Sequence, residues 1–328
     1  MPLTQNRRTL LQRVPLLAAL VTVPAWVQGQ TYPAKPIRFV IPVSAGGGAD
    51  TLGRTVTERW GRVLNQTFVV DNQAGGGGAI ASQNVARAVP DGYTLLMAYV
   101  ATHGTGPATR KLGYDAVKDF SPIGMIGATA NVLVVNSNLP VNTLKEFLAY
   151  LKANPGKLSY AGSTPGSLQR LAGELLKKTA GIDMLYVPYK GTGAVIPDLL
   201  GGRLDAAIDN VLVLAPFIRK GQLRGIGVTS TKRSVVFPEL PTLAETGVPG
   251  FNAVGWFGLF TAAKTPQPII TRLNTEISAL LQEPQTRDRL LAQGAEPLPG
   301  PPGDLRNHLA REIDVWSKVI REAGIKAE

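Results

Sequence analysis

The chain has 328 residues, 44% of them hydrophobic and 17% charged, and these values predict a globular protein long enough for two lobes of roughly 150 residues each. It contains no cysteine, which excludes thiol catalysis, disulfide bonds, cysteine-ligated metals and a bacterial lipoprotein anchor. The formal net charge is +11, but the basic residues are scattered, so we expect small anionic ligands and no nucleic-acid partner.

The N-terminal 29 residues predict an export signal. Arg7, Arg8 and Arg13 form a basic segment, and the apolar run 14–26 separates it from a cleavage point near Gly29. A structural N-terminal helix is the alternative. The pair Arg7 and Arg8 also resembles a twin-arginine signal, which would direct export of a folded protein. Cleavage removes three arginines and no acid, so the net charge falls from +11 to +8 and a periplasmic location is expected.

Strand-like runs alternate with helical runs in the first part of the mature chain. The predicted strands are 37–43, 67–71 and 94–98, and the predicted helices are 51–64 and 79–88. This alternation is typical of an α/β fold, in which crossover helices connect the strands of a parallel sheet.

Two glycine-rich loops join these first strands to their helices, and we call them the first loop (residues 44–50) and the second loop (residues 74–78). Glycines before a helix leave backbone N–H groups uncovered, and the helix dipole attracts anions there. Neither loop has the lysine of a P-loop or the spacing of a dinucleotide-binding motif. The loops therefore predict a site for a carboxylate or a phosphate group, although their glycines could also serve only to permit tight turns.

Asp50 ends the first loop and is predicted to cap the following helix. Its carboxylate could also hold the loop amides towards a cleft. Arg54, one turn later, is either a ligand-binding cation or a surface residue.

The chain has two histidines. His103 follows a strand at the end where ligand-binding loops of α/β sheets gather, so we expect it to donate or accept a hydrogen bond at the rim of a cleft. His308 lies among the last helices and is predicted at the surface. A single histidine does not make a metal site, and neither a metal nor a cofactor is expected.

A second series of strands and helices begins near Asn131. The predicted strands are 132–136, 158–161, 184–187, 206–209 and 223–228, and the predicted helices are 144–153, 167–179, 194–200 and 212–219. Thr143 is predicted to cap the first of these helices. The C-terminal part predicts three amphipathic helices at 266–281, 284–293 and 303–322.

The loop 160–167 is rich in hydroxyl groups and also joins a strand to a helix. Ser167 is a candidate helix cap. Ser163 and Ser167 could also be nucleophiles of an exported hydrolase, but the G-x-S-x-G turn and an evident base are missing. Together with the loops 189–193 and 209–210, this segment predicts a polar wall opposite the two glycine loops.

Two apolar runs, 122–136 and 251–262, are long enough to cross between lobes. Two crossings predict a discontinuous lobe 1 (residues 30–130 and 253–328) and an inserted lobe 2 (residues 131–252). A cleft between two lobes joined in this way suits a clamshell that closes on a ligand.

An ordered set of segments then gives a specific resemblance along nearly the whole mature chain. The segments are 32–38, 42–50, 72–78, 90–96, 187–191, 198–202, 223–230, 241–242 and Trp256. In these segments the chain resembles the periplasmic substrate-binding proteins of tripartite tricarboxylate transporters, the Bug family. The resemblance implies a two-lobed periplasmic-binding-protein fold (Venus flytrap, type II) with two interlobe crossover strands, and capture of small carboxylates without catalysis.

The resemblance also implies that main-chain groups of the two glycine loops and bridging waters hold most of the ligand. The loops 101–104, 162–168, 190–193 and 209–210 are expected to supply the other contacts. The ligand-binding residues expected on this basis are Ser44, Ala45, Gly46, Gly47, Gly48, Asp50, Gly76, Gly77, Gly78, Thr102, His103, Ser163, Thr164, Ser167, Arg170, Gly191, Thr192 and Asp209. Arg170 stands where the family often has a histidine, so it could pair with a second carboxylate or face solvent. The chain also departs from the family at Gly106, Asn131 and Ala194.

These observations favour a monomeric binding protein that delivers an organic carboxylate to membrane transporter subunits. Two alternatives stay open at this point. One is the exported hydrolase that uses Ser163 and Ser167, and the other is a sensory protein that presents its ligand to a membrane receptor.

Overall fold

The computed structural model describes residues 32–46, 48–162, 166–189 and 192–325. The predicted export signal lies outside these ranges. The strands are β1 (Ile37–Ile41), β2 (Phe68–Asn72), β3 (Thr94–Tyr99), β4 (Phe120–Thr129), β5 (Asn131–Asn136), β6 (Ser159–Gly162), β7 (Leu185–Pro188), β8 (Ala206–Asn210), β9 (Leu223–Val228), β10 (Gly255–Ala262) and β11 (Ala295–Pro297).

The helices alternate with these strands. They are α1 (Gly48–Leu64), α2 (Ala79–Ala86), α3 (Gly106–Thr109), α4 (Leu144–Ala153), α5 (Leu168–Ala180), α6 (Thr192–Leu200), α7 (Val211–Arg219), α8 (Leu243–Thr246), α9 (Gln267–Gln282), α10 (Pro284–Ala292) and α11 (Pro302–Glu322). No helix among the described residues is both long enough and apolar enough to cross a membrane.

The strands form two mixed sheets, and each sheet with its helices makes one lobe. Sheet A of lobe 1 has the order β11-β4-β10-β3-β1-β2, and sheet B of lobe 2 has the order β7-β6-β8-β5-β9. In sheet A, β1 pairs in parallel with β2 and β3, whereas β10 runs antiparallel to β3 and β4. The predicted two-lobed α/β fold is therefore confirmed.

The packing of α1 on β1 shows how sequence spacing builds lobe 1. Leu52, Val56 and Trp60 recur every four residues, so they lie on one face of α1, and all three are buried. Gly53 permits the close approach, because a Cβ there would lie 2.6 Å from Cδ1 of Ile41. Trp60 stacks on Phe68 with ring centroids 5.0 Å apart, and its truncation to alanine would cost about 3–5 kcal/mol.

Side-chain caps fix the starts of two helices in lobe 2. The hydroxyl of Thr143 accepts a hydrogen bond from the backbone N–H of Glu146 at 3.2 Å, which confirms Thr143 as the cap of α4. The hydroxyl of Ser167 likewise accepts a bond from the N–H of Arg170 at 3.4 Å and caps α5.

The chain crosses between the sheets at Ala130 and again between β9 and β10. The apolar run 122–136 is two strands, β4 in sheet A and β5 in sheet B, because each pairs with different neighbours. Thr229 connects the two crossings: its N–H donates to the Asn131 carbonyl at 2.9 Å, and its hydroxyl donates to the Ala253 carbonyl at 2.7 Å. Both crossings therefore lie side by side at the junction of the lobes.

Several short elements of the structure were not predicted from the sequence. They are the 3₁₀ turn Gly76–Gly78, the π turn Val100–Gly104, α3, α8 and β11. None is long enough to show a hydrophobic period, and β11 exists only because it pairs with the edge of β4.

Candidate ligand-binding site

A cavity of about 500 Å³ lies where the ends of both sheets meet, a size that is ordinary for a small-molecule site. Lobe 1 contributes the second loop, the end of β3 and the start of β10, and lobe 2 contributes the ends of β6 and β8. The lining residues are Gly76, Gly77, Tyr99, Val100, Ala101, Arg110, Thr129, Asn131, Ala161, Gly162, Ser167, Leu168, Gln169, Tyr189, Val195, Ala207, Ile208, Asp209, Asn210, Gly255 and Phe257.

A wider depression of about 660 Å³ lies on the outer face of lobe 1. Residues of α1, of β2 and of the segment between them line it, including Arg54 and Arg62, and it receives no residue from sheet B. The cavity between the sheets is the better site because both lobes build it and because it lies at the carboxyl ends of parallel strands.

The second loop approaches the cavity through a run of left-handed glycines. Gly76, Gly77 and Gly78 have φ angles of 56°, 62° and 89°, which side chains rarely adopt. The N–H of Gly78 donates to the Gly75 carbonyl at 2.9 Å, and α2 begins directly afterwards. Gly76 and Gly77 line the cavity, whereas Gly78 is buried behind them, where a Cβ would lie 2.9 Å from Cβ of Pro42.

Two side chains of lobe 1 support the second loop. Nη1 of Arg110 donates to the Gly76 carbonyl at 2.8 Å, and the Tyr99 hydroxyl donates to the Gly77 carbonyl at 3.3 Å. Burial raises the pKa of Tyr99 although the positive charge of Arg110 opposes it, so the phenol is a neutral hydrogen-bond donor. Both side chains line the cavity.

The wall from lobe 2 carries a carboxylate and side-chain amides. Asp209 is buried, and its Oδ1 accepts hydrogen bonds from Nε2 of Gln169 at 3.2 Å and from the N–H of Asn210 at 2.7 Å. The predicted site residues Asp209 and Ser167 thus meet Gly76 and Gly77 around one cavity. These groups can orient a small polar ligand through hydrogen bonds.

The described residues of the first loop do not belong to the cavity lining. Ser44, Ala45 and Gly46 are exposed to solvent. The prediction that Asp50 precedes and caps α1 is wrong, because α1 already begins at Gly48. Asp50 lies in the first turn of that helix, and its Oδ2 accepts the N–H of Gly46 at 2.9 Å. The loop amide is therefore bound to a carboxylate of the chain itself.

Asp50 is the centre of a small polar network. Its carboxylate accepts hydrogen bonds from Nε of Arg54 at 3.0 Å and from Nδ2 of Asn72 at 2.9 Å. Burial alone would raise the pKa of Asp50, but the hydrogen bonds from Gly46, Arg54 and Asn72 outweigh it and hold the pKa below its usual value. Arg54 is thus a scaffold residue at the base of the first loop.

His103 lies in an aromatic cluster behind the cavity. Its side chain is fully buried, with ring centroids 4.6 Å from Phe120 and 4.8 Å from Phe260, and its Nδ1 lies 3.0 Å from the hydroxyl of Thr102. Burial lowers the pKa of His103 to about 3, so the ring is neutral. Thr102 is also buried and bonds to the backbone of Tyr99. Neither residue belongs to the cavity lining.

Arg170 and His308 also lie away from the cavity lining. The guanidinium of Arg170 stacks over the ring of Tyr186, 4.3 Å from its centroid. His308 is half-buried rather than at the surface, with its ring 5.1 Å from that of Trp256, and burial lowers its pKa to about 4.

The remaining predicted site residues lie at or beyond the limits of the described chain. Gly47, Ser163, Thr164 and Gly191 lie outside the described residues, Gly48 begins α1, and Thr192 begins α6. No group of three or more histidine, aspartate or glutamate side chains within the described ranges could hold a metal ion.

Sequence reasoning missed Arg110, Gln169, Thr129 and Phe257 as cavity residues. Gln169 follows the predicted cap Ser167 by two residues, so the start of α5 was a usable signal. Arg110 follows a short helix that shows no periodic pattern, and nothing in the sequence indicates that its side chain returns to the second loop.

Comparison with known proteins identifies the family. Residues 52–325 match the tripartite tricarboxylate transporter family receptors, TctC. The protein belongs to this family of solute-binding receptors. Protein BugT of Bordetella pertussis is 36% identical over 327 residues, which is 98% of this chain and 99% of BugT.

Solved structures of two similar proteins agree with the fold of this receptor. Rpa4515 of R. palustris with adipate has a TM-score of 0.79 at 36% identity, covering 90% of this chain and 100% of its own. MatC of Rhodopseudomonas palustris with bound malate has a TM-score of 0.73 at 32% identity, covering 88% and 100% respectively. TctC is a family of binding proteins and not of enzymes, so the exported hydrolase is no longer a candidate.

Proposed function

We propose that this receptor captures a small organic carboxylate in the cavity between its lobes and delivers it to the membrane subunits of a tripartite tricarboxylate-type transporter. The observation that carries the proposal is the cavity of about 500 Å³ with Gly76 and Gly77 on one wall and hydrogen-bonding side chains on the other. Adipate and malate in the two solved relatives support a carboxylate as the ligand class.

The two walls of the cavity contact different parts of the ligand. Gly76, Gly77, Tyr99 and Arg110 hold a carboxylate at the lobe 1 side, next to the N-terminus of α2. Ser167, Gln169, Asp209 and Asn210 contact the rest of the ligand. Closure of the lobes about the crossings near Ala130 and Thr229 then encloses it.

Binding is tested by thermal shift on the purified mature chain. The panel contains adipate, malate, succinate, citrate, glutamate and benzoate, with the uncharged 1,6-hexanediol as control. A ligand present at 100 times its Kd stabilises the folded state by about 2.7 kcal/mol, which raises Tm measurably. Calorimetry then gives a stoichiometry of one, and NMR shows the acid unchanged. If no acid of the panel raised Tm, the carboxylate proposal would fail.

Export and delivery have tests of their own. Sequencing of the secreted protein gives an N-terminus just after Gly29, and replacing Arg7 and Arg8 by lysine stops export if the twin-arginine route is used. The mature protein runs as a monomer in light scattering. Uptake of the labelled acid into vesicles that contain the transporter subunits requires this receptor; binding without any such uptake would contradict delivery.

A further inference from the structure

Arg110 fills the space that the absent side chain of Gly77 leaves beside the cavity. It follows α3 in an extended conformation, with φ −145° and ψ 154°, and its half-buried side chain reaches the second loop. Nη1 donates to the Gly76 carbonyl at 2.8 Å. A Cβ at position 77 would overlap the guanidinium and would lie 2.6 Å from its Cζ, so only glycine permits this arrangement.

The cavity lining is strongly asymmetric in charge. Among the described residues that line it, Arg110 carries the single positive charge and Asp209 the single negative charge. Arg110 lies on the wall of lobe 1 beside the N-terminus of α2, whose dipole adds to its field. Asp209 lies at the end of β8 on the opposite wall. Among these described lining residues, Arg110 is therefore the one whose charge stabilises negative charge on a ligand.

The guanidinium is also suited in shape to a carboxylate. A guanidinium carries its N–H donors in a rigid fork that matches the two oxygens of a carboxylate. The bond from Nη1 to the Gly76 carbonyl uses one of these donors and holds the group beside the second loop. Tyr99 places a neutral phenol on the same loop, at the Gly77 carbonyl.

We infer that Arg110 is a specificity-determining residue of this receptor. It requires one ionised carboxylate of the ligand at the second loop, whereas the chemical group at the other end, near Asp209, is selected by hydrogen bonding. This inference rests on the proposed function and assigns the substrate class of the same site: acids whose affinity depends on one carboxylate and not on main-chain contacts alone.

Variants of Arg110 test the inference by calorimetry, with adipate and its uncharged diamide adipamide as probes. If malate or succinate gives the larger thermal shift, malamide or succinamide completes the pair. Arg110→Gln keeps a polar N–H donor on a side chain that ends two bonds before the position of Nη1, and it lacks the charge. It weakens adipate binding about 10- to 100-fold while adipamide binding changes little. Arg110→Lys falls between Gln and the wild type, because lysine keeps the charge without the fork.

Arg306→Gln on the exposed face of α11 is the matched control, because it removes the same charge outside the cavity lining and keeps the wild-type affinity. A fall in affinity for adipate and adipamide by the same factor would show that Arg110 only holds the loop, and would overturn the inference. Equal adipate binding by wild type and Arg110→Gln would also overturn it while leaving the proposed function intact. Failure of the wild type to bind any acid would instead overturn the proposed function.

Discussion

The two glycine-rich loops have similar sequences but different partners. In the first loop, the Gly46 N–H is bound by the carboxylate of Asp50, which Arg54 and Asn72 hold in place. In the second loop, Gly76 and Gly77 line the cavity, and the nearby charge is the cation Arg110. One loop therefore binds an anion that the chain supplies, and the other presents a cation and a helix N-terminus to an anion from outside. The neighbouring side chains, and not the glycines, decide the role.

Alanine substitutions at Gly77 and Gly46 test this difference most strongly. Both glycines have positive φ angles, 62° and 87°, so both variants carry a similar backbone strain. At position 77 the new Cβ displaces Arg110, whereas at position 46 it meets no atom within 4 Å. We expect Gly77→Ala to weaken adipate binding about 10- to 100-fold in calorimetry and Gly46→Ala to change it less than about threefold.

Gly181→Ala is the control for strain alone. Gly181 ends α5 with φ 63° and has no atom within 4 Å of its added Cβ, so it matches Gly77 in conformation but not in surroundings. Thermal unfolding shows similar losses of stability for Gly77→Ala and Gly181→Ala. A loss of adipate affinity in Gly46→Ala as large as in Gly77→Ala would contradict the proposed difference between the loops.

Asp50→Asn removes the negative charge that the chain itself supplies to the first loop. The amide cannot accept from Gly46, Arg54 and Asn72 together, so the variant loses about 1–3 kcal/mol of unfolding free energy at pH 7. The pKa of Asp50 is lowered in the folded state, so its contribution is complete above the unfolded pKa of about 4 and is lost as the pH falls through the folded pKa.

Urea unfolding of the wild type and Asp50→Asn at pH 7 and pH 3 measures this gap in stability. We expect the difference in unfolding free energy between the two proteins to be complete at pH 7 and smaller at pH 3. The affinity of Asp50→Asn for adipate at pH 7 stays within about threefold of the wild-type value. A gap that grew on acidification would show that the carboxylate does not stabilise the loop in its charged form. Asp314→Asn, an exposed acid on α11, is the surface control.

The sequence alone predicts the two lobes and nearly all of the long helices and strands, because amphipathic and apolar periods extend over many residues. Caps such as Thr143 are also visible in sequence, because the side chain and its partner lie three residues apart. The site is harder to predict. The charged side chains among its described residues, Arg110 and Asp209, lie almost 100 positions apart, and the pairing of strands in two sheets brings them to one cavity.

The same limit applies to the first loop, which the sequence predicts as a ligand site. Its glycines and helix start match the pattern of an anion site, and Asp50 is only four residues from Gly46. Asn72, 22 residues later, also donates to the Asp50 carboxylate. Local sequence does not show this contact, whereas the packed structure does.

Asp209→Asn gives the smallest expected effect and tests the wall opposite the second loop. The asparagine Oδ1 can still accept the bonds from Gln169 and Asn210, so the variant removes charge with little change in shape. Loss of one like charge facing the far end of the ligand is worth about 1 kcal/mol, or about fivefold, for a second carboxylate. We therefore expect the affinity for adipate to rise about fivefold relative to that for hexanoate, which has the same chain length and one carboxylate. Calorimetry of both acids against both proteins measures this ratio. An unchanged ratio would mean that the far end of the ligand does not approach Asp209, and would contradict a contribution of this carboxylate to the charge preference of the cavity.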